Sequence, residues 1–383
     1  MFQNIDHRET KAQRRIALAG GGTGGHARAA LAVGAAYRQL VGDVQILHIG
    51  ARQGFGFETR LIPEAGERLE LIDARPVMGM GPMGAVRAAA TLCAGIVQAR
   101  RILRQNGVQL VVGFGGYATP AAILAARSLG VTTAIHEANV VPGRANRFLR
   151  RFVSHLFLGD EETDMPRSAR TASVVGYPLC SDIAALMDQE PTPPDLGERP
   201  ARILITGGSL GSNFLNLEGC KLMAILRDKG IQVDVFHQTG EVERDAVSAA
   251  YSRIGLQARV VGYVDDMAER LRSADFVIST AGAGTLAEIA VAGRPALVVP
   301  LSWASDDHQS ANARSYAAVG GLWLVSERDW HGPELAERIT ALLRDPDAWR
   351  RAAASLRSLA RPQAAMAVAR QCEELLGAAG VSR

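Results

Sequence analysis

With 383 residues, 48% of them hydrophobic and 21% charged, and with 40 glycines, the chain suggests a two-domain, glycine-punctuated α/β protein. A formal net charge of +3 is too small to argue for nucleic acid as a partner. The four cysteines, Cys93, Cys180, Cys220 and Cys372, share no ligand-like spacing and read as reduced cytosolic thiols, not a disulfide or zinc framework.

The polar start MFQNIDHRETKAQRR has no apolar core, so no secretory signal is expected. Residues 88–99, the longest apolar run, fall far short of the ~20 residues a spanning helix needs. A cytoplasmic protein, at most peripheral to a membrane, is expected. A short strand over 16–19 runs into Gly20, Gly21, Gly22, Thr23, Gly24, Gly25 and His26, and a helix follows. Gly20, Gly22 and Gly25 match G-x-G-x-x-G, alone a weak dinucleotide signal. A nicotinamide-dependent enzyme would want an acid at the end of the second strand, 44–49, and none comes before Glu58. His26 follows glycines that leave room for a ligand. It reads either as a histidine bonding its own loop or as a base titrating near neutral pH.

Met78, Met80 and Met83 lie in a glycine-rich loop, and the helix after it ends with Arg100, Arg101 and Arg104. The segment reads as one that dips among lipid headgroups, or equally as a core helix with a basic end. A strand over 110–112 leads into a second glycine turn with Gly115, Gly116 and Tyr117, followed by a helix over 120–129. A strand over 132–135 delivers His136, Glu137, Ala138 and Asn139. Asn139 can hydrogen-bond a sugar or its acetamido group, Glu137 is a second candidate base, and His136 reads as structural. Three prolines within 189–199 mark a linker.

The second half repeats the plan. A strand over 202–206 opens into Gly207, Gly208, Ser209, Leu210, Gly211 and Ser212, and a strand over 233–237 follows. The strand over 260–264 leads to Asp265 and Asp266, expected to cap the next helix. A strand over 276–279 enters the small-residue turn 280–284, then a helix from about 285 with Glu288 one turn in. Backbone N–H groups at 281–284 and the positive end of that helix suit a diphosphate. A strand over 295–300 leads to Asp306, Asp307, His308 and Gln309, where adjacent acids invite a metal reading.

Five motifs narrow these options: G-G-T-G-G-H (21–26), G-F-G-G-Y (113–117), H-E-A-N (136–139), S-T-A-G-A-G-T-x-x-E (279–288) and D-D-H-Q-x-x-N-A (306–313). Together they resemble the MurG-type glycosyltransferases of family 28, which add N-acetylglucosamine to the lipid-linked muramyl-peptide precursor of the bacterial cell wall. The resemblance runs from residue 16 to about 376. It implies the α/β GT-B fold, two Rossmann-like domains with parallel sheets facing a central cleft. The expected boundaries are 1–185 for the acceptor domain, 186–200 for the linker, 201–358 for the nucleotide-sugar domain, and 359–383 for a helix crossing back to the first domain.

The resemblance also implies roles. His26 is the leading base and Glu137 the second; Thr23, Gly24, Gly25, Gly115, Gly116, Tyr117 and Asn139 face the acceptor. Ser209, Gly211, Ala283, Gly284, Thr285, Glu288, His308 and Gln309 face the donor, Glu288 at the uridine ribose and the His308–Gln309 pair at the sugar. Chemistry is expected to be inverting and metal-independent, with UDP-N-acetylglucosamine as donor and no cofactor. The expected location is the inner face of the cytoplasmic membrane, as a peripheral protein. Six positions depart from the family pattern: Ala29 for proline, Ala138 for glutamine, Tyr177 for asparagine, Cys180 for arginine, Leu210 for glutamine and Thr280 for arginine. Two of these remove cations. The departures leave two alternatives open, a paralogue acting on another acceptor and a non-catalytic nucleotide-sugar sensor. A non-hydrolysing sugar-nucleotide epimerase would share the fold, but the G-G-T-G-G-H loop favours transfer.

Overall fold

The computed structural model describes residues 13–53, 56–75, 82–165, 171–301 and 307–381. Met78, Met80 and Asp306 lie outside them. Two parallel sheets carry the chain. The first holds β1 (Arg14–Ala19), β2 (Val44–Ala51), β3 (Arg68–Ile72), β4 (Leu110–Gly113), β5 (Thr132–Glu137), β6 (His155–Leu158) and β7 (Thr171–Val174), in the order 3-2-1-4-5-6-7. The second holds β8 (Ala201–Thr206), β9 (Val233–Gln238), β10 (Ala258–Val261), β11 (Phe276–Thr280), β12 (Ala296–Val299) and β13 (Leu322–Leu324), in the order 10-9-8-11-12-13.

Strands covered by helices on both faces must be apolar throughout, not alternating. Residues 16–19 of β1 and 110–112 of β4 meet that demand, none more than 1% exposed. One face of the first sheet packs Ala118, Ala122 and Ile123 of helix Ala118–Ser128 with Ala99 and Leu103 of helix Pro82–Gln105. The other packs Ala30, Val33 and Tyr37 of helix Gly24–Val41 against Val368, Ala369 and Cys372 of helix Ala364–Val381. That last helix is tied there by Glu373, which pairs with Arg14 and accepts from the Tyr37 hydroxyl at 2.6 Å. Leu179, Ile183 and Leu186 already pack with the second sheet, so the chain changes cores ahead of the proline-rich stretch.

Strand order fixes where ligands can bind. Each sheet winds in both directions from a central pair, β1 and β4 in the first, β8 and β11 in the second. The crevice outside the carboxyl ends of such a pair is the usual ligand site of a doubly wound sheet. All four glycine turns, after β1, β4, β8 and β11, sit at those two points. One local expectation fails. Asp266 makes no side-chain cap, because Arg270 one turn on takes its carboxylate, a charged partner that outbids the backbone amides and holds the acid below its usual range.

Candidate active site

On the first sheet, the turns after β1 and β4 interlock. Gly116 has φ +79° and an added methyl there would overlap the Gly21 carbonyl, so only glycine fits. His26 sits in the first turn of helix Gly24–Val41, its Nδ1 3.1 Å from the Gly21 carbonyl and 3.1 Å from the Thr23 hydroxyl. A carbonyl oxygen only accepts, so Nδ1 carries the proton and Nε2 is the basic nitrogen. Burial lowers the imidazole pKa, with the Gly21 carbonyl, Glu137 and Glu58 opposing more weakly. The ring is therefore neutral near pH 7.

Nε2 faces Gly115, where an added Cβ would lie 2.8 Å away and where φ is +102°. Gly115→Ala thus combines backbone strain, costing roughly 1–3 kcal/mol, with a methyl set on the basic nitrogen. Chemical denaturation should register the strain, and kcat should fall further than the lost stability explains. An alanine variant with normal kcat would mean that Nε2 takes no part in turnover.

Two buried acids brace this corner. Glu58, 0% exposed, accepts from the Gly22 amide at 3.0 Å and the Ala51 amide at 3.4 Å, so the Gly22 N–H is committed to the chain itself. Glu137, 2% exposed, accepts from the Asn139 amide (2.9 Å) and side chain (3.0 Å), the Gly143 amide (3.0 Å) and Asn146 Nδ2 (2.9 Å). A carboxylate has about four acceptor sites, and all are taken. Glu137 therefore anchors the loop after β5 and offers no open lone pair for a proton. Asn139 is also engaged: its Oδ1 accepts from Asn312 Nδ2 at 3.0 Å, while Asn312 Oδ1 accepts from the Val140 amide at 2.9 Å. His136, buried at 1%, donates from Nε2 to the Gly176 carbonyl at 2.9 Å, and burial lowers its pKa to about 4.

The second sheet supplies the facing wall. Ser212 caps helix Asn213–Asp228 by accepting from the Leu215 amide, and Gly211 (φ +79°) lets the turn lie on Thr239. Ala283, Gly284 and Thr285 form the first turn of helix Ala283–Ala292. Gln309 Oε1 accepts from the Ala281 amide at 3.2 Å and the Leu301 amide at 2.9 Å, pinning the turn to the end of β12 and leaving its amide nitrogen for other work. His308 opens helix His308–Ala318 beside it. Glu288 is half-buried and has no hydrogen-bond donor among the described residues. Burial pushes its carboxyl up to about 7, with Arg28 pulling down and Asp182 pushing up.

The walls touch. Ser209 Oγ lies so close to Gly24 that an added methyl there would overlap it. The Tyr177 hydroxyl donates to the Gly25 carbonyl at 2.7 Å, and its ring lies where a side chain at Gly284 would stand. Tyr117 packs on Gly22, 3.3 Å from where a Cβ would be. Gly24 and Gly25 of the expected acceptor set thus lie against Ser209 and, through Tyr177, against Gly284 of the expected donor set. Sequence reasoning missed the parts of Glu58, Arg28, Tyr263 and Asn312. Two signals were available: Arg28 is a lone charge among alanines, and Asn312 stands in the D-D-H-Q-x-x-N-A motif. Among the described residues no group of three or more His, Cys, Asp or Glu side chains is placed to hold a metal ion.

Comparison with known proteins agrees with this layout. The glycosyltransferase family 28 N-terminal domain model matches residues 16–158 and the C-terminal domain model matches 202–368. A UDP-N-acetylglucosamine–N-acetylmuramyl-(pentapeptide) pyrophosphoryl-undecaprenol N-acetylglucosamine transferase from Geotalea daltonii is 34% identical over 354 residues, 92% of this chain and 96% of the relative. Its counterpart from Sorangium cellulosum is 37% identical, over 94% of this chain and 88% of the relative. The crystal structure of Acinetobacter baumannii MurG superposes with a TM-score of 0.72 at 28% identity, covering 94% of this chain and 99% of that one. A UDP-GlcNAc 2-epimerase from Neisseria meningitidis, at 14% identity and TM-score 0.63 over 93% and 98% of the two chains, shares the fold alone. Fold and matched sequence together carry the GT-B architecture over nearly the whole chain. The chain belongs to glycosyltransferase family 28.

Proposed function

We propose that the chain transfers N-acetylglucosamine from UDP-N-acetylglucosamine to a lipid-linked muramyl-pentapeptide, with inversion, in the cleft between the sheets. One observation carries the chemistry: the basic nitrogen of His26, Nε2, lies against Gly115, where no side chain covers it, while the carboxylate of Glu288 has no hydrogen-bond donor among the described residues. The acceptor hydroxyl attacks the anomeric carbon while Nε2 takes its proton. The bonding pair of the broken C–O bond leaves with the diphosphate. Helix N-termini Ala283–Ala292 and Asn213–Asp228 direct their backbone amides to that charge. Glu288 accepts from the ribose hydroxyls, and Gln309 and His308 orient the sugar. Calorimetric titration with UDP-, dTDP- and GDP-sugars tests the donor assignment. UDP-N-acetylglucosamine should bind tightest, and a preference for another base or sugar would remove it.

The acceptor's lipid tail calls for a membrane-facing surface, and helix Pro82–Gln105 supports one. Val86 (69%) and Val97 (67%) are exposed there together with Arg87, Arg100, Arg101 and Arg104, and the helix contains no acid. Helix Arg144–Leu149, which also packs on helix Ala118–Ser128, adds exposed Phe148 beneath the Arg151 guanidinium. No helix among the described residues is long and apolar enough to cross a membrane; the attachment proposed is peripheral. The protein should co-sediment with anionic vesicles and release as salt rises. Val86→Asp with Val97→Asp should abolish sedimentation while leaving donor affinity unchanged. Equal binding to neutral vesicles, or no effect of the substitutions, would count against this surface.

A further inference from the structure

Arg28, in the first turns of helix Gly24–Val41, is the one charge in an alanine-rich stretch, and it reaches across the cleft. Its Nη2 donates to the Tyr263 hydroxyl at 2.7 Å and to the Val264 carbonyl at 3.2 Å, and its Nε lies 3.3 Å from the same hydroxyl. Both partners are neutral. Nη1 has no bond, and Arg28 has no ion pair, among the described residues. The guanidinium is half-buried. Burial works against its charge, but Tyr263 and Glu288 more than offset that, and the group stays protonated.

Such a pairing is costly as it stands. Among the described residues, a half-buried cation with only neutral hydrogen-bond partners faces a half-buried carboxylate, Glu288, that has no hydrogen-bond donor. The two sense each other electrostatically and do not bond. A ligand offering an anion to one and hydroxyls to the other would satisfy both. The donor half has no cation of its own at this point: the turns 207–212 and 280–285 contain neither lysine nor arginine. Cys180, a position that also faces Arg28, cannot supply one either.

We propose that Arg28 contacts the diphosphate of the nucleotide-sugar donor, so that the acceptor half supplies the positive charge of the donor site. This rests on the donor assignment above. The contribution grows during the reaction: as the anomeric C–O bond breaks, its electron pair passes to the diphosphate oxygen. A guanidinium held beside that oxygen then stabilises the transition state more than the ground state. Arg28 is thereby a determinant of donor specificity, favouring a nucleoside diphosphate over a nucleoside. It also couples donor binding to closure of the two halves, because its helix belongs to the first sheet.

The competing explanation is a clasp. Tyr263 is also covered by the Arg60 guanidinium, 4.6 Å from its ring centre, and by Phe57 at 6.2 Å, so Arg28 could serve only to seat that ring. Calorimetry with UDP and with uridine separates the two. Arg28→Ala should weaken UDP by roughly ten- to a hundredfold, the range for losing a charge-assisted contact. Because Arg28 also lowers the Glu288 carboxyl, both ligands are compared well above pH 7, where Glu288 is ionised in either protein. Uridine affinity should there stay as in the wild type, which also reports that the fold is intact. Arg28→Lys should recover part of the loss. Arg28→Ala combined with Cys180→Arg, which returns a cation from the opposite side, should recover UDP affinity at least tenfold over the single variant. Equal losses for UDP and uridine, or unchanged UDP affinity, would overturn the proposal and leave the donor assignment standing. A wild-type protein that binds neither ligand would remove the donor assignment, and this proposal with it.

Discussion

His26→Ala lowers turnover by at least two orders of magnitude while UDP affinity stays within a factor of about two, since a positioned base contributes roughly 10²–10⁴-fold. The geometry behind this expectation is specific. The Gly21 carbonyl fixes the proton on Nδ1, and Gly115 leaves Nε2 uncovered. Burial depresses the pKa below the ordinary 6.5. The sign follows directly: the base is active when neutral, so kcat falls as pH drops through that depressed value. At saturating donor the wild type should show this acidic limb and the variant should lack it. Normal turnover in the variant would make His26 a loop-bonding residue. Glu137 could not inherit the role without giving up one of its four donors.

Glu288→Ala weakens UDP on the order of a hundredfold. Two ribose hydroxyls donating to one carboxylate contribute roughly 1.5–3 kcal/mol each, offset in part by the cost of keeping that carboxylate away from water. The unliganded carboxyl is pushed up to about 7. Below that pH it is protonated and must lose a proton to accept from the ribose, so wild-type affinity falls as pH drops through about 7. Uridine is the appropriate probe, because a terminal phosphate itself titrates near about 6. The alanine variant should bind uridine weakly with little dependence on pH in this range. Unchanged affinity would place the nucleoside elsewhere.

The fold was readable because its signals are local. Apolar strands running into glycine turns announce a parallel sheet, and family motifs put the four turns in order. Much of the candidate site was readable for the same reason: His26, Gly115, Ser209 and Glu288 each stand in such a turn or within one helical turn of it. The rest depends on contacts made across long stretches of chain. Arg28 meets Tyr263 over a separation of 235 residues, and Asn139 meets Asn312 over 173. Local pattern can single out these residues but not the contacts between them.

Glu58 is instructive. Its distance from the second strand argued against a nicotinamide cofactor. Folded, it lies under the first glycine turn and bonds the Gly22 amide. The chain's own carboxylate takes an amide of the glycine turn, so that N–H is not open to a phosphate. Glu137 and Asp266 show the converse. Residue type alone suggested a base and a cap, but the neighbouring donors, set by tertiary packing, had already claimed both carboxylates.

The most direct test of the central claim is transfer itself. The protein would be incubated with UDP-N-acetylglucosamine labelled in the sugar and with the lipid-linked muramyl-pentapeptide in detergent, and the label followed into the lipid-extractable product. The account predicts label in that product, β-configured at the new linkage and lost in His26→Ala. Donor bound but label never reaching the lipid, or label released as an epimerised nucleotide sugar, would contradict it.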